Sequence, residues 1–347
     1  MAYRKSKGKM SPRPKKIEPA VQTMYFNYSV PAGTTQNNTI DLSQCASLLN
    51  RRFYRQGINW AVSSIKVVTL GSQTGLLVCE KLPETWVMSN AWEKGFRSWQ
   101  KMNNEALSES ESVRPKFLDF KIFADSTHHA AGYGANLLPS NDAIAGTPAS
   151  VGEWQPSKYV VPFGNADPGD TEEFEVIAVG ASFPGNAPGS TLNAVSLIEG
   201  YAASRGLPNV LDPNVPDDAA DSQGIDPENW IQALQNEGID QSSVVLGDMI
   251  SENNIAPYPF ENDGVNADTM YPGGANQLTG LQIHDVDTVT GTTVGGVSRI
   301  KGGLFPCGLI RMTVGNTSPD TSMGVNLLID LVPGNHRGYL CEPMTDM

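Results

Sequence analysis

Runs of β-branched and alternating apolar residues, each short and each ended by a cluster of Gly, Pro, Asn or Asp, recur along nearly the whole chain. Alternation at period two sends successive side chains to opposite faces, so such runs read as half-buried strands. They cover 23–30, 58–70, 75–80, 117–123, 159–163, 173–179, 243–250, 307–314 and 323–332. Turn chemistry separates them, as in Phe183-Pro-Gly-Asn-Ala-Pro-Gly and Tyr271-Pro-Gly-Gly. Gly (34) and Pro (24) together are about a sixth of the 347 residues, which favours many turns over a helical bundle. No repeat of fixed period runs through the sequence, against a propeller or solenoid. The pattern predicts an all-β fold, an antiparallel β-sandwich of jelly-roll type with long loop insertions and a few short helices.

Three helices are expected within this frame. Residues 90–102 place Trp92, Phe96, Trp99 and Met102 on one face. Residues 226–238 have Asp226 as N-cap, Pro227 at the first helical position and Gly238 as a stop. Residues 190–198 form the third, with Leu192, Val195 and Ile198 inward. All three are expected to cover sandwich ends or sit within insertions. No run of 18 apolar residues occurs, so no membrane-spanning helix and no membrane partner are expected. No apolar stretch follows the first charges, so no secretory signal is expected.

Charge is distributed unevenly. The net charge is −13, yet Arg4, Lys5, Lys7, Lys9, Arg13, Lys15 and Lys16 make residues 1–16 purely basic. Without them the chain has 17 Lys and Arg against 37 Asp and Glu, or −20. No Lys or Arg lies between Gly206 and Ser298, a stretch with fifteen acids that include Asp212, Asp217, Asp218, Asp221, Asp285 and Asp287. Eleven of the other positives fall within 51–121, beginning with Arg51, Arg52 and Arg55. A basic end on an acidic body suits a chain that holds a polyanion at one place and repels it elsewhere. Gly, Ser and Pro interrupt the basic end, so residues 1–20 should form a disordered arm able to neutralise phosphates. Its composition equally fits a nuclear-localisation signal. Residues 21–347 then form a single sandwich domain.

Catalytic patterns are weak. None of the metalloprotease, esterase, phosphate-loop or dinucleotide signatures is present. Adjacent His128 and His129 would point to opposite sides of a strand and form no chelate. Cys45, Cys79, Cys307 and Cys341 have no zinc-site spacing and read as buried small hydrophobes in a reducing compartment. No enzyme, cofactor or metal site is expected. Calcium held between subunits by Asp212, Asp217, Asp218 and Asp221 has only residue type in its favour, because their spacing departs from the EF-hand loop. The competing class is a β-sandwich lectin or carbohydrate-processing enzyme whose acidic loops hold sugar or calcium.

The basic arm, the strand-rich body and Leu82-Pro-Glu-Thr-Trp-Val-Met-Ser-Asn-Ala-Trp-Glu-Lys-Gly-Phe-Arg-Ser-Trp-Gln-Lys-Met-Asn together resemble the capsid proteins of circular, replication-initiator-encoding single-stranded DNA viruses. Trp-Val-Met-Ser-Asn-Ala-Trp is the most specific part. The resemblance covers about half the chain and matches nothing residue by residue from about 125 to 298. It implies a jelly-roll subunit that assembles with identical subunits into an icosahedral shell and packages the viral single-stranded DNA genome through an interior arm. Arg51, Arg52 and Arg55 would extend the basic inner surface, or else pair with subunit neighbours. The acidic insertion within about 125–298 would face outward. The expected locations are the virion and the host nucleus, with nuclear import receptors meeting the arm and a host receptor meeting the outer loops.

Overall fold

The computed structural model describes residues 19–69, 72–108, 119–142, 146–162, 171–206, 280–290 and 296–346. The expected helix over 226–238 and strand over 243–250 lie outside the described residues. In chain order the elements are β1 (Thr23–Val30), β2 (Thr35–Asp41), α1 (Leu42–Asn50), β3 (Ile58–Val68), β4 (Gly75–Lys81), α2 (Trp86–Ser108), α3 (Ser126–Ala131), β5 (Lys158–Pro162), β6 (Thr171–Ile177), β7 (Asn193–Ser196) and α4 (Leu197–Gly206). After them come β8 (Gln282–Val289), β9 (Val297–Phe305), β10 (Leu309–Asn316), β11 (Met323–Leu331), β12 (Pro333–Gly334), β13 (Gly338–Tyr339) and β14 (Cys341–Pro343).

Two antiparallel sheets enclose one core. The first runs β1-β11-β3-β9, with β14 continuing the β11 side along the start of β3. The second runs β2-β10-β4-β8. Period-two alternation decides which side chains enter the core. On β11, Met323, Val325, Leu327, Ile329 and Leu331 point in, while Gly324, Asn326, Leu328 and Asp330 point out or sit half-buried. They meet Ile310, Met312 and Val314 of β10 and Leu77 and Cys79 of β4 across the same core. Trp60, Tyr54 and Tyr339 pack as a triangle with ring centroids 5.3–5.9 Å apart at one end. Burying rings of this size contributes more per residue than any aliphatic contact there.

Both open margins of the sheets are closed by something other than a strand. On one side, the amide of Ser140 donates to the carbonyl of Tyr25 in β1 at 2.7 Å, and that of Leu137 to Thr39 in β2 at 2.8 Å. On the other, β8 faces β9 without a backbone ladder. The carboxylates of Asp285 and Asp287 accept from the amides of Lys301 and Arg299 at 2.9 and 2.8 Å, and His284 Nε2 donates to the Lys301 carbonyl at 2.9 Å. The Lys301 amide is the leading reason the Asp285 carboxyl is held below its usual range. Two acids that the sequence places in the outward-facing acidic stretch thus cap the edge of β9.

Between β4 and β8 the chain builds a second layer from α2, α3, the β5-β6-β7 sheet and α4, around its own apolar core. The expected face of α2 is present: Trp92 and Phe96 stack at 5.0 Å, and Trp99 packs on Phe120 at 5.7 Å. The C-terminus fastens this layer, because buried Ser89 of α2 donates to the Met344 carbonyl at 2.7 Å.

Three local expectations need correction. The described part of 117–123 is no strand; it makes one parallel bridge, Phe123 to Ile177. Backbone bonds to Val176 and Ala178 hold Phe123 beside β6, while on the other side a side chain serves Ile122: Gln56 Oε1 accepts from its amide at 2.7 Å and Gln56 Nε2 donates to its carbonyl at 3.1 Å. The expected helix over 190–198 divides: 193–196 pair with β6 as β7, and helix begins at Leu197. Fully buried Ala194 and Val195 suit a strand laid against β6. His128 and His129 lie on α3, not on a strand, and both are buried.

Candidate nucleic-acid interface

Arg4, Lys5, Lys7, Lys9, Arg13, Lys15 and Lys16 lie outside the described residues, as do Asp212, Asp217, Asp218 and Asp221. Arg51, Arg52 and Arg55 are described, and all three are exposed. Asp41 caps the start of α1 by accepting from the amides of Ser43 and Gln44 at 2.9 and 3.2 Å. Its other oxygen accepts from Gln56 Nε2 and Trp154 Nε1, both at 3.1 Å. Burial pushes this carboxyl up to about 7 despite the four donors. At the other end of the helix, Arg51 takes the left-handed conformation, φ 53 and ψ 36, and turns the chain outward.

After that turn, residues 53–56 run half-buried, buried, exposed and buried. Tyr54 and Gln56 are buried, while Arg51, Arg52 and Arg55 project. The Tyr54 hydroxyl donates to the carbonyl of Arg337 at 3.0 Å, and the exposed Arg337 guanidinium donates back to the carbonyl of Phe53. The turn between β12 and β13 therefore adds a fourth arginine to the cluster. Lys121 adds a fifth cation, its ammonium 4.7 Å from the Trp154 ring centre and 5.7 Å from that of Phe53. Asp119 lies among them, 3.6 Å from Lys121, with its carboxyl raised by burial against the pull of Lys121, the Gln56 amide and Arg55.

The first described residues are held at this place. Asn50 Oδ1 accepts from the Val21 amide at 2.9 Å, the Tyr339 hydroxyl donates to the Val21 carbonyl at 2.6 Å, and Arg52 Nη1 donates to the Pro19 carbonyl at 3.3 Å. Residues 19–21 are thereby pinned to the end of α1, beside Arg51, Arg52, Arg55 and Arg337. The sequence marks Arg51, Arg52 and Arg55 as a cluster. Arg337 and Lys121 escape it because only folding brings them to Arg51, from 286 and 70 positions away in sequence.

Arg51 offers a clean separation of charge from backbone. Arg51→Gly and Arg51→Ala remove the same charge, but only glycine relieves the left-handed backbone, a difference of about 1 kcal/mol. The glycine variant is therefore expected to unfold at a higher temperature than the alanine variant, while both lose the same increment of polyanion affinity. Equal melting temperatures would contradict this account of the turn.

Other chemistry-bearing residues are occupied structurally. Cys45, Cys79 and Cys307 are buried free thiols, and Cys341 is partly buried. His284 serves the β9 margin. Among the described residues no group of three or more His, Cys, Asp and Glu is arranged to hold a metal ion, and no helix is long and apolar enough to cross a membrane. No family model, no curated protein and no solved structure matches this chain.

Proposed function

We propose that this chain is the coat subunit of a viral capsid: a jelly roll that self-assembles into an icosahedral shell and packages single-stranded DNA through its basic arm. The pairing scheme supports the jelly roll. Partner strands are β1 with β11, β2 with β10, β3 with β9 and β4 with β8, so the first four strands pair with four counted back from the other end. A long antiparallel hairpin rolled up on itself has this scheme, and the second layer sits at its tip. One observation carries the reading: Pro19 and Val21, which follow the basic segment in sequence, are held beside the exposed arginines 51, 52, 55 and 337, so on this reading both cationic elements meet the same polyanion. Such contact is sequence-tolerant and steeply salt-dependent.

The test is negative-stain microscopy of the purified chain with its absorbance ratio at 260 and 280 nm, for full-length protein and for protein lacking residues 1–16. Closed uniform shells with a high ratio that falls on arm deletion are expected. Shells with an unchanged ratio would move nucleic-acid binding from the arm to the arginine cluster. Small discrete particles with a protein-only spectrum at low and moderate salt would overturn the capsid reading and direct attention to glycan and calcium binding.

A further inference from the structure

The second layer rests on the outward face of the four-stranded sheet through Leu309 of β10, which joins its apolar core, and through buried polar and charged side chains. Arg311 of β10 and Asp125, the N-cap of α3, form a two-pronged ion pair with side chains 3% and 0% exposed; Arg311 Nη1 donates to Asp125 Oδ2 at 2.8 Å. His129 Nε2 lies 2.8 Å from Glu175 Oε2 of β6, both nearly inaccessible, in a contact of position rather than of hydrogen-bond alignment. His128 sits between these pairs. Its Nδ1 accepts from the amide of Ala124 at 3.0 Å. Its Nε2 therefore bears the hydrogen and donates to Asn136 Oδ1 at 2.8 Å, and Asn136 passes the link to Gln44 of α1 at 3.0 Å.

This wiring admits only neutral His128. A proton on Nδ1 would set an N–H against the Ala124 N–H and place a cation near Arg311. The nearby anion, Asp125, is already engaged by Arg311 and by the His128 amide. The groups facing His128 are Asp125 and His129 on α3, Arg311 on β10 with Glu80 of β4 beyond it, Tyr133 with its ring centre 5.4 Å away, and Glu175 through His129. We propose that His128 is the proton-sensitive pin of a latch between the second layer and the sandwich, and that its protonation frees α3 from β10 and α1 while both apolar cores persist.

Burial is the largest of the effects that lower His128 from 6.5 to about 4. A histidine held low favours the docked form above its free value, loses that advantage progressively as pH falls from the free value to the docked one, and has lost it in full below the docked one. The docked-to-undocked ratio should fall about 30-fold from pH 7 to pH 5 and about 300-fold below pH 4, at tenfold per unit.

The test is hydrogen exchange on the full chain between pH 7 and pH 4, expressed as protection relative to intrinsic rates. Protection at the Ala124, Ala178 and Val179 amides is expected to fall first, with the β1–β11 ladder still protected. His128→Asn keeps an acceptor near Ala124 without a titrating ring, and should flatten this acid step. Simultaneous loss in both layers, or an unchanged step in a folded His128→Asn protein, overturns the proposal. Should that variant not fold, the wild-type His128 ring titration by NMR decides: it must coincide with the exchange step.

Discussion

Arg311→Ala should destabilise the chain by about 3–5 kcal/mol, the usual cost of removing one member of a buried ion pair. The cost arises because Asp125 cannot leave with its partner. It is 0% exposed, caps α3 through the His128 amide at 3.0 Å, and would face Glu80 with no cation between them. Glu80 is already raised by burial, with Arg311 opposing that rise, so the alanine leaves the buried Asp125 carboxylate beside a half-buried one with no cation between them. The pair itself need not be stabilising. Replacing both members with apolar residues, as in Arg311→Met with Asp125→Leu, should recover much of the loss, less about 1 kcal/mol for the missing cap. Urea unfolding of the three proteins checks this. A cost under 1 kcal/mol for the single change, or no recovery in the double, would show that the pair is not the strut described.

Changing Arg51, Arg52, Arg55 and Arg337 to Gln should weaken binding to single-stranded DNA in a way that depends on salt. Each phosphate contact contributes about 0.7 to the slope of log affinity against log salt, so four contacts lower it by about 3. Over a fourfold change in salt, that difference amounts to roughly 50-fold in affinity. The arm's seven positives leave a residual slope in this variant, and deleting residues 1–16 should remove the larger part. Four exposed side chains are altered, so melting temperature serves as the control; Arg337 and Arg52 are expected to lower it, through their bonds to the carbonyls of Phe53 and Pro19. Titration of a labelled oligonucleotide at several salt concentrations gives the slope. An unchanged slope in a folded variant would mean that phosphate never reaches this corner.

Strands β1, β3, β4 and β11 were legible because apolar alternation and flanking turns agree. Helix α2 was legible through Trp92, Phe96 and Trp99 at helical spacing. Strands β2 and β8 were not. Thr35-Gln-Asn-Asn-Thr-Ile-Asp sends only Asn38, Ile40 and Asp41 fully inward, and β8 carries acids whose use is to cap β9. In neither does hydrophobicity alternate, because the backbone is organised by neighbours distant in sequence. Residues 119–123 mislead for the opposite reason: their apolar content is that of a strand, but they meet β6 only at Phe123, and on the other side Gln56 serves Ile122 in place of a neighbouring strand. At the candidate interface, charge clustering locates arginines 51, 52 and 55. The contribution of Arg337 depends on closure of the Tyr54–Arg337 contact and is invisible to any local pattern.

The closed margins of the two sheets bear on how copies of this molecule can associate. A sheet with an unsatisfied rim invites another chain to add a strand, a contact that propagates and is hard to reverse. Here the described rims of β1, β2, β8 and β9 are engaged by Leu137, Ser140, His284, Asp285 and Asp287. A strand added at these rims would have to displace those contacts, which favours meetings of side chains over fibril growth. Such meetings are individually weak, so a wrongly placed neighbour can dissociate and try again.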